Sequence, residues 1–431
     1  MRRTFTHAVA LMVLASPVLA QEPSSLQLGE LQQAAIAADP RTREVALLET
    51  QSRLRLRNIS ALRLPAIGVE GQAQYQTDVP TAPFTIGGRS IFTAPKDTYD
   101  SYLRAEQRLF DPSVSAQAGL ERAQLAEQQS RVRSAVFSVR QQVNEAFFAA
   151  ATLQERANVL GAAIQELQGR LSEMQARVNA GTAVAADAAA IEATLLQRQQ
   201  DQDELRANRR AALARLSIIV GRTVDGNATV ALPDLAQAVS AARQSPSTLR
   251  ARPEFEQFTR TRERLARQQD ATAATSAPRI SAFARLGYGR PGLNFLRDEF
   301  DTYAVGGVRF QWNAWNWGST PREQEALAIQ EQIVAADEAA FSRGILEAIE
   351  NDAATVDRLQ RALTLDDRII ELRAQVDRTT QVRMQEAVVT ISEYLARNTE
   401  LLQARFAQTS HRVELAQAGA RLLTTLGVEV R

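Results

Sequence analysis

From Val132 the apolar residues Val136, Val139, Val143, Ala146, Ala150, Leu153, Ala157, Leu160, Ile164, Leu167, Leu171, Met174 and Val178 follow one another at steps of four and three. A seam with a period of 3.5 stays on one face only if helices wind about each other with a left-handed twist, so it predicts a coiled coil. Read as one helix, Ser113 to Ala180 spans roughly 100 Å at ~1.5 Å per residue, far more than a globular domain. Ala183–Gly221 returns after it. A second long segment, Ser319–Glu386, is followed by Val389–Gly427, and its seam is interrupted at Asp366 and Arg373. Arg41–Arg63 and Glu254–Ser276 are shorter helices that, end to end with the returning ones, flank the long columns.

A different period occupies two other stretches. Ile67, Val69, Gly71, Ala73 and Tyr75 alternate with Glu70, Gln72, Gln74 and Gln76, and Tyr99, Ser101, Leu103 and Ala105 alternate with Asp100, Tyr102, Arg104 and Glu106. Ile280, Ala282, Ala284, Leu286 and Tyr288 line a third such face, and Ala304, Gly306, Val308, Phe310 and Trp312 a fourth. Dyad segments of roughly 9–11 residues are the length a tilted strand needs to cross a bilayer. Loop residues Pro80, Pro83 and Gly87-Gly88 separate the first pair, and a turn around Gly292 the second. Each half therefore carries one strand hairpin, 66–110 and 279–314. Four strands are too few to close a barrel, which requires about eight or more, so copies must pool them. Trp312, Trp315 and Trp317, the only tryptophans, gather where the fourth strand ends, the place for a membrane-interface girdle.

The two halves match each other. A shift of 206 residues places Arg177 on Arg383, Asp187 on Glu393, Leu195-Leu196-Gln197 on Leu401-Leu402-Gln403 and Gly221 on Gly427. The expected organisation is a first repeat over 21–221 with its long helical hairpin at 113–221, a linker or equatorial segment over 222–252, and a second repeat over 253–431 with its hairpin at 319–427. Ahead of them, Arg2 and Arg3, a short apolar run and Val18-Leu19-Ala20 read as a secretory signal over 1–20.

The chain has no cysteine and carries a formal charge of +1, which becomes −1 if Arg2 and Arg3 leave with the signal. Disulfides and thiol chemistry are excluded, and nucleic acid is no partner for so balanced a surface. Beyond the signal the one histidine is His411, expected on a helix surface, and neither a phosphate loop nor a metal-ligand spacing is present, so neither catalysis nor a cofactor is expected. A periplasmic coiled-coil adaptor of the membrane-fusion kind is the alternative to a channel, but it would show one helical hairpin flanked by small β-domains rather than two hairpins each preceded by membrane-length strands.

Arg177-Val178-Asn179-Ala180-Gly181-Thr182 followed by Asp187, its counterpart Arg383-Met384-Gln385-Glu386-Ala387 followed by Glu393, and the terminal Gly221 and Gly427 resemble the TolC family of outer-membrane efflux and secretion channels. The resemblance implies a mainly helical homotrimer with a periplasmic α-barrel and a shared twelve-stranded β-barrel in outer-membrane lipid. It implies a passive exit duct of a tripartite efflux or type I secretion system. The turns Arg177–Thr182 and Arg383–Val388 would be the periplasmic tips that meet an adaptor protein and, through it, an inner-membrane transporter. Glu393 would form an acidic ring at the entrance, with Asp187 pairing to a basic tip residue such as Arg383. Ala387 stands where the family has glycine, which leads us to expect a differently shaped second turn.

Overall fold

The computed structural model describes residues 25–81, 85–86, 89–90, 93–244, 252–294 and 296–430. The expected signal, and part of the loop holding Pro83 and Gly87-Gly88, lie outside the described residues. Helices α1 (Leu28–Ala38) and α2 (Arg41–Ala61) lead into strand β1 (Ala66–Tyr75). Two short strands, β2 (Thr85–Ile86) and β3 (Arg89–Ser90), pair within the loop before β4 (Asp97–Phe110). Then come α3 (Pro112–Phe137), α4 (Val139–Asn179), α5 (Ala185–Val220) and α6 (Ala236–Arg243). The second half supplies α7 (Pro253–Ala274), β5 (Arg279–Arg290), β6 (Asp301–Gln311), α8 (Ser319–Gln385) and α9 (Ile391–Thr425).

The four long strands form one antiparallel sheet in the order β1-β4-β5-β6. Its two-faced pattern survives intact: Ile67, Val69, Leu103, Leu286, Val308 and Phe310 stand exposed on one face. The opposite face is polar, with Glu70 paired to Arg104 at 3.0 Å and Glu106 to Arg309 at 3.6 Å. An exposed apolar face of this size on a sheet belongs against lipid or another chain. β1 and β6 are the sheet edges, each presenting one unpaired row of backbone groups, which hydrocarbon does not tolerate. No described helix is long and apolar enough to cross a membrane.

Helix α8 runs unbroken for 67 residues, about 100 Å. The first long segment differs from the reading of one helix: it breaks between α3 and α4 at Ser138, where the Gln141 N–H donates to the Ser138 carbonyl at 3.2 Å, three residues back rather than four. The apolar seam passes through the break undisturbed because side-chain period and backbone bonding are separate properties.

Two cores sit along the columns. The first, midway, joins α1, α4, α5, α6, α8 and α9 around Leu31, Phe147, Leu213, Leu216 and Leu422. The chain between α5 and α6 adds Val230, bridged in parallel to Leu26. A polar chain crosses this core fully bonded: Gln32 Nε2 donates to Asn144 Oδ1 at 2.6 Å, and Asn144 Nδ2 to Thr424 Oγ1 at 3.1 Å. Buried polar groups satisfied in this way fix which helices meet at what height. The second core lies toward the far end of the helices, around Leu160, Leu167, Ile191, Met384 and Tyr394.

Asp366, which interrupts the seam, proves to be one of three buried aspartates facing α9. Asp352 accepts from Thr425 Oγ1 at 2.9 Å and pairs with Arg421, Asp366 lies 2.7 Å from His411 Nδ1, and Asp377 accepts from Asn398 Nδ2 at 3.4 Å. His411 is thus partly buried against α8 rather than a free helix-surface residue. A carboxylate that must find its partner at one height pins the register of two long helices, which apolar packing alone leaves free to slip.

Candidate functional site at the helical tips

Both returning turns lie at the end of the helices remote from the sheet, and both close by the same pair of bonds. In the first, Thr182 N–H donates to the Arg177 carbonyl at 2.9 Å and Gly181 N–H to Val178 at 3.0 Å, with Gly181 at φ +71°. In the second, Val388 N–H donates to Arg383 at 2.8 Å and Ala387 N–H to Met384 at 3.1 Å, with Ala387 at φ +59°. These are two Schellman ends, one with the glycine the motif prefers and one with alanine forced left-handed. The expectation that alanine would reshape the second turn is corrected: the shape is kept and the backbone carries the strain, because the two bonds over-determine the conformation.

The tips bind each other within one chain. Arg177 Nη2 donates to the Gln385 carbonyl at 3.3 Å, and Gln385 Nε2 donates to Glu173 Oε1 at 3.1 Å. Val184, Val382 and Val388 are exposed apolar side chains beside these turns.

Asp187 and Glu393 occupy equivalent places, the third residue of α5 and of α9. Glu393 N–H donates to Thr390 Oγ1 at 3.2 Å, so Thr390 and Glu393 have the spacing of a capping box. Glu393 is exposed and Asp187 half-buried. Among the described residues neither forms an ion pair within the chain, Arg383 included, so a partner for Asp187 would have to come from another copy.

Sequence reasoning missed the buried charged layer behind the tips. Arg198 and Asp377 are both nearly inaccessible, and Tyr394 beside them wholly so. Burial lowers the Arg198 guanidinium, against the pull of Glu166, Tyr394 and the two nearby aspartates, and burial pushes the Asp377 carboxyl up. Burial, with Asp377 and Glu166 adding to it, pushes the Tyr394 phenol up to about 12, so it stays protonated. The Arg170 guanidinium stands against the Tyr394 hydroxyl, and among the described residues Arg198 Nη1 has no partner, which is costly in so closed a place. The signal was available: Asp366 and Asp377 are eleven residues apart, three helical turns, and so share one face of α8.

At the other end, Trp312 follows the last residue of β6 and its indole N–H donates to the Ser276 carbonyl at 3.1 Å. Trp315 and Trp317 meet edge to face at 5.9 Å and are 75% and 81% exposed, which no core tryptophan would be. Among the described residues no group of His, Cys, Asp or Glu has the arrangement of a metal site.

Long helical columns feeding a four-stranded sheet with one apolar and one polar face define the fold of the TolC-like channels. Residues 31–222 match the family described as outer membrane efflux protein. Among solved structures, the chain superposes on CusC with a TM-score of 0.69 at 14% identity, over 94% of this chain and 92% of that one. VceC from Vibrio cholerae gives 0.67 at 15%, over 94% and 97%, and CmeC from Campylobacter jejuni 0.65 at 12%, over 99% and 94%. No curated protein matches the sequence. The matched family and these structural neighbours are channels rather than enzymes.

Proposed function

We propose that three copies of this chain form a passive exit duct in the outer membrane, taking cargo from the periplasmic tip through the helical tunnel and out through a shared barrel. The observation that carries this reading is the sheet, whose two free edges need partners and whose outer face is apolar. Pairing β6 of one copy with β1 of the next satisfies both edges, and three sheets supply twelve strands. Trp312, Trp315 and Trp317 then sit where strands end and helices begin, at the periplasmic surface of the bilayer. The duct supplies no energy and performs no chemistry; a transporter in the inner membrane, reached through an adaptor, drives it. The adaptor contacts the turns Arg177–Thr182 and Arg383–Val388, where Val184 and Val388 give its helices an apolar foothold.

Glu393 narrows and charges the entrance. Its threefold repetition draws carboxylates together, which attracts cations, and Asp187 meets a basic residue of the neighbouring copy. Glu393→Gln isolates the charge, because glutamine serves the capping box as well as glutamate does. In planar-bilayer recordings with hexaamminecobalt on the tip side, this variant should lose most of the block shown by the unmodified channel. Block of equal strength in both would remove Glu393 from the entrance.

A further inference from the structure

The polar face of the sheet pairs its arginines with one exception. Arg104 has Glu70, Arg309 has Glu106, and Arg108 and Arg279 share Asp111. Arg285 has no carboxylate partner among the described residues. Its guanidinium lies over the Tyr102 ring at 5.1 Å, and its Nε is enclosed without an acceptor. The register makes this arrangement costly, because Arg285 is directly opposite Arg104, and like charges facing across two strands repel. A sheet could remove that cost with any neutral residue at this position, and local rules are broken where function requires it.

Resting on the trimeric barrel proposed above, we infer that Arg285 forms a threefold ring of cations without ion-pair partners inside the barrel, a transit site for carboxylate-bearing anions. Every Arg285 lies at one height by symmetry, and the polar face is the one that lines the lumen. The Tyr102 ring holds the guanidinium against the wall, while Tyr102 Oη donates to Glu70 and so leaves that carboxylate engaged with Arg104 and the tyrosine. Gly287, beside it on the strand, is covered by the Tyr303 ring, whose Oη donates to Asp100 at 2.6 Å, and among the described residues that carboxylate makes no ion pair with Arg285. An oxyanion passing this level meets the two Nη groups of Arg285, which have no acceptor among the described residues, and arginine rings of this kind select anions.

Citrate is the probe, added on the side of the strand loops to the purified trimer in planar bilayers. It should reduce the current of the unmodified channel, and Arg285→Gln should raise the half-blocking concentration about tenfold, the loss of one charge-assisted bond. Arg285→Lys should keep most of the block. Glu70→Gln, which strips Arg104 of its carboxylate, should make block stronger, and it decides the matter if Arg285→Gln does not assemble. Conducting trimers of Arg285→Gln and Glu70→Gln that citrate blocks like the original would overturn the inference and leave the duct standing. An unmodified protein that forms no channel would overturn both.

Discussion

Arginine in place of Leu286 should nearly abolish trimers in the outer membrane. Leu286 is in the middle of the sheet, level with Val69 and Leu103 on the apolar face, and is 61% exposed in one chain. A cation held there against hydrocarbon costs about 2–4 kcal/mol near the bilayer midplane, and a trimer incurs it three times. Gln72→Arg is the control, on the polar face one level nearer the strand loops than Glu70, where water is the solvent and the change should be small. The readout is the amount of unboiled trimer in the outer-membrane fraction and its urea midpoint. In a water-soluble protein the order reverses, since Leu286→Arg would then remove an exposed apolar side chain at a cost within about 0.5 kcal/mol.

The second large effect concerns three left-handed positions. Gly221 ends α5 at φ +69°, and an added Cβ would come within 2.5 Å of the Ala38 Cβ, closer than carbon atoms approach. Gly221→Ala therefore meets both the left-handed penalty of roughly 1–2 kcal/mol and an overpacking penalty of about 1–3 kcal/mol at the edge of the midway core. Gly181 has nearly the same φ, +71°, and open space around it, so Gly181→Ala should cost about 1 kcal/mol from the backbone alone. Ala387→Gly should recover about the same amount by relieving a strain already present. Chemical denaturation of the three variants in detergent gives the ranking. Equal losses for Gly221→Ala and Gly181→Ala would mean that α1 does not pack on the end of α5.

Elements with a strong period were legible from residues alone. The dyad alternation of Ile67 to Tyr75 and Ile280 to Tyr288 placed strands and faces, because one face meets an apolar medium along the whole length. The heptads of α4 were equally plain. Backbone events that leave the side-chain period untouched were not: the ladder breaks at Ser138 while Val136, Val139 and Val143 keep their seam. Ala387 shows the converse, a residue whose intrinsic preference argues against a turn that its neighbours' hydrogen bonds nonetheless impose. At the tips the sequence singled out Asp187 and Glu393, and they do occupy equivalent first turns. The layer of Arg198, Asp377 and Tyr394 behind them left only the spacing of Asp366 and Asp377 as its sign, because a charged residue at a seam position reads as a flaw until the helix it faces is known. Arg285 was hidden for a related reason: only the strand register reveals that it stands opposite Arg104 and that the acids nearby are taken.

The central claim is that the sheet is one third of a barrel completed by identical copies in lipid. Membranes extracted with detergent, followed by native mass measurement, test it most directly. The account predicts that the protein leaves the membrane only with detergent and has the mass of three chains, falling to one chain on heating. A protein recovered without detergent as a stable single chain would contradict it.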